Sequence, residues 1–288
     1  MATLKEIKTR IQSVKSTQKI TSAMKMVSSA KLRKAEKKLE NSVAYVTSMQ
    51  QLRSVLLHDA RGYISPLAVA RPLTKVLLVV FSGNSGMCGS FNANIIKQMS
   101  AIMADYEAEG VQVSVVAIGK KVLKACAKLN ISPEADYSSL IDKPEVSLVD
   151  ELAELLIHKF LISESDRIEL VYHSYQSKAN QQLATDVLLP CEVMAPEDHH
   201  HVHHSTDYLY DSDKKDILDA LVPALLKTEL FHALLSSHVS EHAARTTAMQ
   251  TATDNASDLL QELSLQYNKS RQQAITAELL DILGGSFK

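Results

Sequence analysis

The hydrophobic positions divide the chain into three stretches with different periods. In the first sixty residues Leu4, Ile7, Ile11 and Val14 recur at alternating spacings of three and four, the signature of a coiled-coil seam. The apolar pattern falters through Gln18 and Thr21 and resumes at Ala35, Leu39, Ser42, Val46, Met49 and Leu56. Ala252, Ala256, Leu259 and Leu263 keep the same spacing near the other end, and Ile275, Leu279 and Ile282 take it up after a break. Such interruptions read as stutters that alter local winding. Glycine and proline mark the same division. The first are Gly62 and Pro66; after Pro223 the next is Gly284. The pattern predicts an N-terminal helix over 1–61, a central domain over 62–223 and a C-terminal helix over 224–288. At about 1.5 Å per residue, each end would span about 85–90 Å. Helices this long need a partner along their length. Chain order makes the two antiparallel if they pair, giving a stalk with a globular foot.

The middle stretch changes period. "KVLLVVFS" (75–82) is a short apolar run closed by turn residues, a buried strand. Residues 92–110 read as a helix ending at Gly110, where a left-handed residue commonly closes a helix. Residues 111–119 alternate as a second strand, "KKVLKACAKLN" is a short helix, 145–163 is an amphipathic helix and 167–177 a strand. A further strand lies in "TDVLLP". Strands alternating with helices predict an α/β domain, Rossmann-like, with a parallel-rich sheet covered on its faces.

Charge sharpens this reading more than composition does. Eleven Lys/Arg stand against three Glu in residues 1–40, while 191–219 carry eight Asp/Glu against Lys214 and Lys215. The net charge is −2, and Tyr45 is the first aromatic residue, so the basic helix offers bases nothing to stack on. No nucleic-acid partner is expected. Aromatics make up 5% of the chain with no Trp, which favours a helix-rich molecule over a large ring-filled core. Cys88, Cys126 and Cys191 are scattered with no CxxC spacing, as in a reducing compartment. The longest apolar run near a strand, "VLLVVF", is far too short to cross a bilayer.

Two segments resemble chemistry. "SGNSGMCGSFN" (82–92) joins a strand to a helix, where phosphate loops occur. Yet Gly83, Gly86 and Gly89 do not form GxGxxG, and the loop contains no Lys. A tight turn is the plainer reading, and no cofactor is expected. "DHHHVHH" (198–204) holds five imidazoles between acidic residues and after Pro196. Metal ligation is open to it, but an exposed polar loop accounts for its surroundings, and no metal site is assigned. No Ser/His/Asp, Cys/His or paired-carboxylate constellation marks a catalytic residue.

"TQKITSAMKMVSSAKLRKA" (17–35) and "EHAARTTAMQTATDNASDLLQELSLQYNKSRQQAITAELLDI" (241–282) resemble the γ-subunit family of bacterial-type F-type ATP synthases, and "GMCGSFN" and "DYLY" (207–210) match its central segments. The resemblance implies a non-catalytic central rotor shaft that couples ion flow through a membrane ring to ATP synthesis or hydrolysis at β-subunit sites. The implied partners are the α and β subunits of the catalytic ring, the ε subunit and the membrane c-ring. The implied location is peripheral, on the cytoplasmic face of the bacterial inner membrane. Carried over by position, Met24, Lys31, Arg33, Arg245, Gln272, Thr276 and Glu278 would meet the ring. Leu279, Ile282 and Leu283 would lie towards an upper bearing, and Tyr208 and Tyr210 near ε. Asn84 and Ser85 depart from the Asp-Arg common in the family loop. The alternative is a stand-alone α/β nucleotide-binding protein or enzyme with helical arms, which would bind nucleotide through the glycine loop.

Overall fold

The computed structural model describes residues 3–59, 65–191 and 213–286. The chain packs as two compact units: residues up to Ala30 with those from Arg245 onward, and Lys31–Ala244. Two long helices contribute to both, α1 (Leu4–Asp59) and α6 (Lys214–Ser286).

In the first unit the helices run antiparallel. Gln18 bonds Ser257, Thr21 meets Thr253 and Lys25 meets Gln250, at 3.2, 2.9 and 2.6 Å. Here the sequence expectation of a break needs correcting. The inward positions of α1 continue as Leu4, Ile7, Ile11, Val14, Gln18, Thr21, Lys25 and Ser28 without a shift of phase. Thr21 and Ser28 are buried. The heptad persists while its side chains turn polar and small, so there is no stutter. Facing them, Met249, Ala256 and Leu263 are buried on α6. A second correction concerns Ile275, Leu279 and Ile282, which do not resume the seam: they are 49%, 56% and 66% exposed. Extending the Gln18–Ser257 register places Leu4, where α1 begins, opposite Arg271. Beyond that point no described residue of α1 lies opposite α6.

The second unit is a five-stranded sheet with helices on both faces. Its elements are β1 (Lys75–Phe81), α2 (Phe91–Ala108), β2 (Gln112–Ile118), α3 (Lys120–Lys128), β3 (Ala135–Asp136), α4 (Ser138–Asp142), α5 (Val146–Leu161), β4 (Arg167–Tyr175) and β5 (Gln181–Leu189). The strand order is β3-β2-β1-β4-β5. β1 pairs parallel with β2 and β4, β2 parallel with β3, and β4 antiparallel with β5. The apolar run of β1 is unbroken because both faces are covered. Leu77, Val79 and Phe81 join a core with α5 and with Val222, Leu226 and Leu230 of α6. Val76, Leu78 and Val80 join the opposite core with Ile95 and Met99 of α2 and Val122 of α3. This is the period-two alternation of a strand. At its start, β1 is tied to β4 by the Asp166 carboxylate, which accepts from the Thr74 hydroxyl (2.6 Å) and the Thr74 and Lys75 amides (2.9 Å each). Burial opposes ionisation of Asp166, but these donors outweigh it and hold its pKa below the ordinary value.

Within this unit, α1 and α6 again run antiparallel. Leu32, Ala35 and Leu39 pack with Leu235, Val239 and Ala243, and Met49 and Leu52 with Leu218, Leu221 and Leu225. The last helix begins at Lys214 rather than after Pro223, which lies inside it. An internal proline costs about 3 kcal/mol. Burial of the neighbouring Leu221, Val222, Leu225 and Leu226 offsets that, at about 1.5–3 kcal/mol for each full side chain.

Candidate functional site

In an open α/β sheet, ligands bind outside the carboxyl ends of the strands where the strand order reverses. Here that point lies between β1 and β4, because the chain moves outward from β1 through β2 to β3 and then crosses to β4 on β1's other side. The glycine-rich segment 82–92 leaves β1 at this place.

Its polar groups are spent on the fold. The Gly83 amide donates to Asn92 Oδ1 (2.9 Å), and the Asn92 amide group donates to the Ser85 carbonyl (3.1 Å) and the Cys88 sulfur (3.0 Å). Asn84 Nδ2 donates to the Ser138 carbonyl and to Asp142, at 2.8 and 2.6 Å. The first amides of α3, which begins beside this segment, already have acceptors. Lys120 donates to Asn84 Oδ1 (2.9 Å), Lys121 to the Gly83 carbonyl (3.3 Å) and Val122 to Ser82 Oγ (3.1 Å). Gly119 lies at φ +114°, where a Cβ would sit 2.0 Å from the Ser82 carbonyl oxygen. Glycine is therefore required there by backbone contact. The tight-turn reading accounts for every one of these bonds.

The crevice itself is filled by α6. A Cβ on Gly83 would lie 2.7 Å from Oε1 of Glu241, a carboxylate that is almost fully buried. Ser240 Oγ donates to the His173 carbonyl (3.2 Å), and the Tyr175 amide donates to Ser236 Oγ (2.9 Å). Phe91 stacks on the His173 ring at 4.1 Å. Burial pushes the His173 pKa down to about 4, so the imidazole is neutral in the fold. On the α1 side, the Tyr175 hydroxyl donates to Glu36 Oε1 at 2.5 Å. Burial, and then the bond to that carboxylate, raise the phenol's pKa.

These groups went unnoticed in the sequence. Glu36 reads as one acid in a basic run, and "LLSSHVSEHAA" (234–244) falls within the C-terminal helix with nothing that marks a contact to the sheet. The one available signal was its row of small and polar residues at helical spacing. The residues expected to meet partners lie elsewhere. In the first unit Met24 is half-buried and Arg245 buried, while Gln272, Thr276 and Glu278 are exposed. Thr276 and Gln272 share one helix face, the Thr276 hydroxyl bonding the Gln272 carbonyl at 2.9 Å. Leu279, Ile282 and Leu283 are exposed towards the same end of α6. In the second unit Lys31 and Arg33 are exposed on α1. Tyr208, Tyr210 and the histidine-rich segment 198–204 lie outside the described residues. Among the described residues no cluster of three or more His, Cys, Asp or Glu is arranged to hold a metal ion.

The chain matches the ATP synthase family profile over residues 3–287. It is 45% identical to the ATP synthase gamma chain of Bacteroides fragilis over 288 residues, 99% of each chain. The chain belongs to the ATP synthase gamma family. The gamma chain of Flavobacterium psychrophilum is 42% identical, over 99% of this chain and 98% of that one. Among solved structures, a rotor chain of the Euglena gracilis mitochondrial ATP synthase superposes with a TM-score of 0.64 at 19% identity. The superposition covers 94% of this chain and 98% of that one. A central-stalk chain of the Tetrahymena thermophila enzyme gives 0.59 at 18% identity, covering 81% and 99%. These likenesses establish the fold. Membership in the gamma family agrees with the sequence resemblance and disfavours a stand-alone nucleotide-binding enzyme. The filled crevice gives that outcome a physical basis in this gamma-family chain.

Proposed function

We propose that the chain is the central-stalk rotor of an F-type ATP synthase, coupling ion flow through the membrane ring to ATP synthesis or hydrolysis at sites carried by β subunits. It has no catalytic role of its own. The observation that carries this reading is the closure of the strand-end crevice by α6: the place where an α/β enzyme would receive substrate holds this chain's own Glu241 and Ser240. The gamma-family relatives, matched from end to end, support it.

In this reading the α and β subunits surround the helices. Contacts through Met24, Lys31, Arg33, Arg245, Gln272, Thr276 and Glu278 are exchanged as the shaft turns. A shaft inside a ring cannot be gripped by one neighbour. The polar seam at Gln18, Thr21 and Ser28 keeps the paired helices thin, and exposed Lys31 and Arg33 make screened attractions of about 0–1 kcal/mol each. The apolar side chains of Leu279, Ile282 and Leu283 turn in an upper bearing. The ε subunit, near Tyr208 and Tyr210, and the c-ring complete the rotor. No described helix is long and apolar enough to cross a membrane, so attachment to the cytoplasmic face of the inner membrane runs through these partners.

Purification from detergent-solubilised membranes by a tag on this chain tests the reading. Catalytic-ring, ε and c subunits should accompany it in fixed ratio, and the purified chain alone should bind no ATP. Saturable ATP binding abolished by changes in residues 82–92 would replace the rotor with the enzyme alternative.

A further inference from the structure

A helix pair that turns with a sheet domain needs a join that does not slip. Apolar contact is non-directional, so the cluster of Leu32, Ala35, Leu39, Leu235, Val239 and Ala243 resists separation more than sliding. Hydrogen bonds have preferred angles and lengths and resist both. Tyr175, the last residue of β4, bonds both helices. Its hydroxyl donates to Glu36 of α1 at 2.5 Å, and its amide donates to Ser236 of α6 at 2.9 Å. Its ring packs on the apolar cluster between them. One turn along α6, Ser240 bonds the carbonyl of His173, two residues back on the same strand.

We propose that Tyr175, held by Glu36 and Ser236, is a positioning residue for rotary coupling: the contact through which the turning moment passes between the sheet and both long helices. This rests on the rotor reading above. Tyr175→Phe removes the hydroxyl bond and keeps the ring. The contact is then open about ten-fold more of the time, the factor equivalent to about 1.4 kcal/mol.

The test uses the intact complex, immobilised by its catalytic ring, with an optical probe on an introduced cysteine at exposed Lys124 of α3. The Tyr175→Phe and Glu36→Ala complexes should show a broader angular distribution of the stalled probe. They should also build a smaller ion gradient per ATP hydrolysed in vesicles. Glu36→Gln, which keeps an acceptor, should lie close to the parent. If Tyr175→Phe and Glu36→Ala complexes match the parent in both angular spread and gradient per ATP, the proposal is overturned. If Glu36→Gln is as loose as Glu36→Ala, the bond is not the cause and the proposal is likewise overturned. A parent complex whose probe never turns would instead refute the rotor reading.

Discussion

Gly83→Ala probes the closed crevice with a single methyl group. The backbone at Gly83 does not have the positive φ that makes alanine strained, unlike Gly119. Substitution there alone would gain about 0.4–1 kcal/mol by restricting the unfolded chain. The added Cβ, however, would stand 2.7 Å from Oε1 and 2.8 Å from Cδ of Glu241, and 3.2 Å from Asn92 Oδ1. The Asn92 amide can give by a few tenths of an ångström. The Glu241 carboxylate ends a flexible side chain, but at 5% exposure it is packed among buried groups that must shift with it. Overpacking of this kind costs about 1–3 kcal/mol, so after the unfolded-state gain the net loss should fall between about zero and about 2.6 kcal/mol. Glu241→Ala empties the space and carries its own cost. The cycle isolates the contact: in the Glu241→Ala background, Gly83→Ala should cost about zero or be slightly stabilising, a coupling of about 1–3 kcal/mol. Urea unfolding of the full chain, followed by far-ultraviolet circular dichroism, measures all four corners. An equal penalty for Gly83→Ala in both backgrounds would show that α6 does not fill the crevice and would refute the reasoning.

Gly119→Ala should be far more damaging, at about 4 kcal/mol or more, because its Cβ meets the Ser82 carbonyl at 2.0 Å in a left-handed conformation; a soluble variant with a parent-like urea midpoint would contradict this. Acid should weaken the fold through His173. Its folded pKa, about 4, lies below the ordinary 6.5, so the neutral ring's contribution is full above pH 6.5. It is lost as pH falls from there towards 4, at up to about 1.4 kcal/mol per unit. His173→Leu should remove one proton's worth of that slope, and an unchanged slope from pH 6 to 4.5 would rule the assignment out. In the seam, Thr21→Val or Thr253→Val alone should cost about 1 kcal/mol, while the pair together should be nearly neutral; thermal melts of the three variants settle it, additive losses being the contrary result.

The sheet was legible where one physical signal dominated. "VLLVVF" is continuous because both faces of β1 are buried, and the helices at 92–110 and 145–163 show their apolar faces directly. β3, with two residues, is too short to carry a pattern. The start of α6 was hidden by Pro223, whose local cost is overruled by tertiary burial. The seam was readable through Val14, but Gln18, Thr21 and Ser28 keep the geometry without the hydrophobicity that advertises it. Conversely, Ile275, Leu279 and Ile282 have the spacing of a seam, and only their exposure among the described residues shows that α1 does not cover them. The groups at the crevice join residues far apart in sequence, 139 apart for Glu36 and Tyr175. Neither residue type signals a partner at that distance. Family resemblance conveyed the role of the chain but not these contacts.

The central claim is that this chain turns. Cys88, Cys126 and Cys191 are all buried, so this chain can be labelled by itself at a single cysteine introduced at Lys124 and then assembled into the ring-immobilised complex. On addition of ATP the probe should rotate continuously in one direction. ATP hydrolysis by the same complexes with the probe fixed in place would contradict the account.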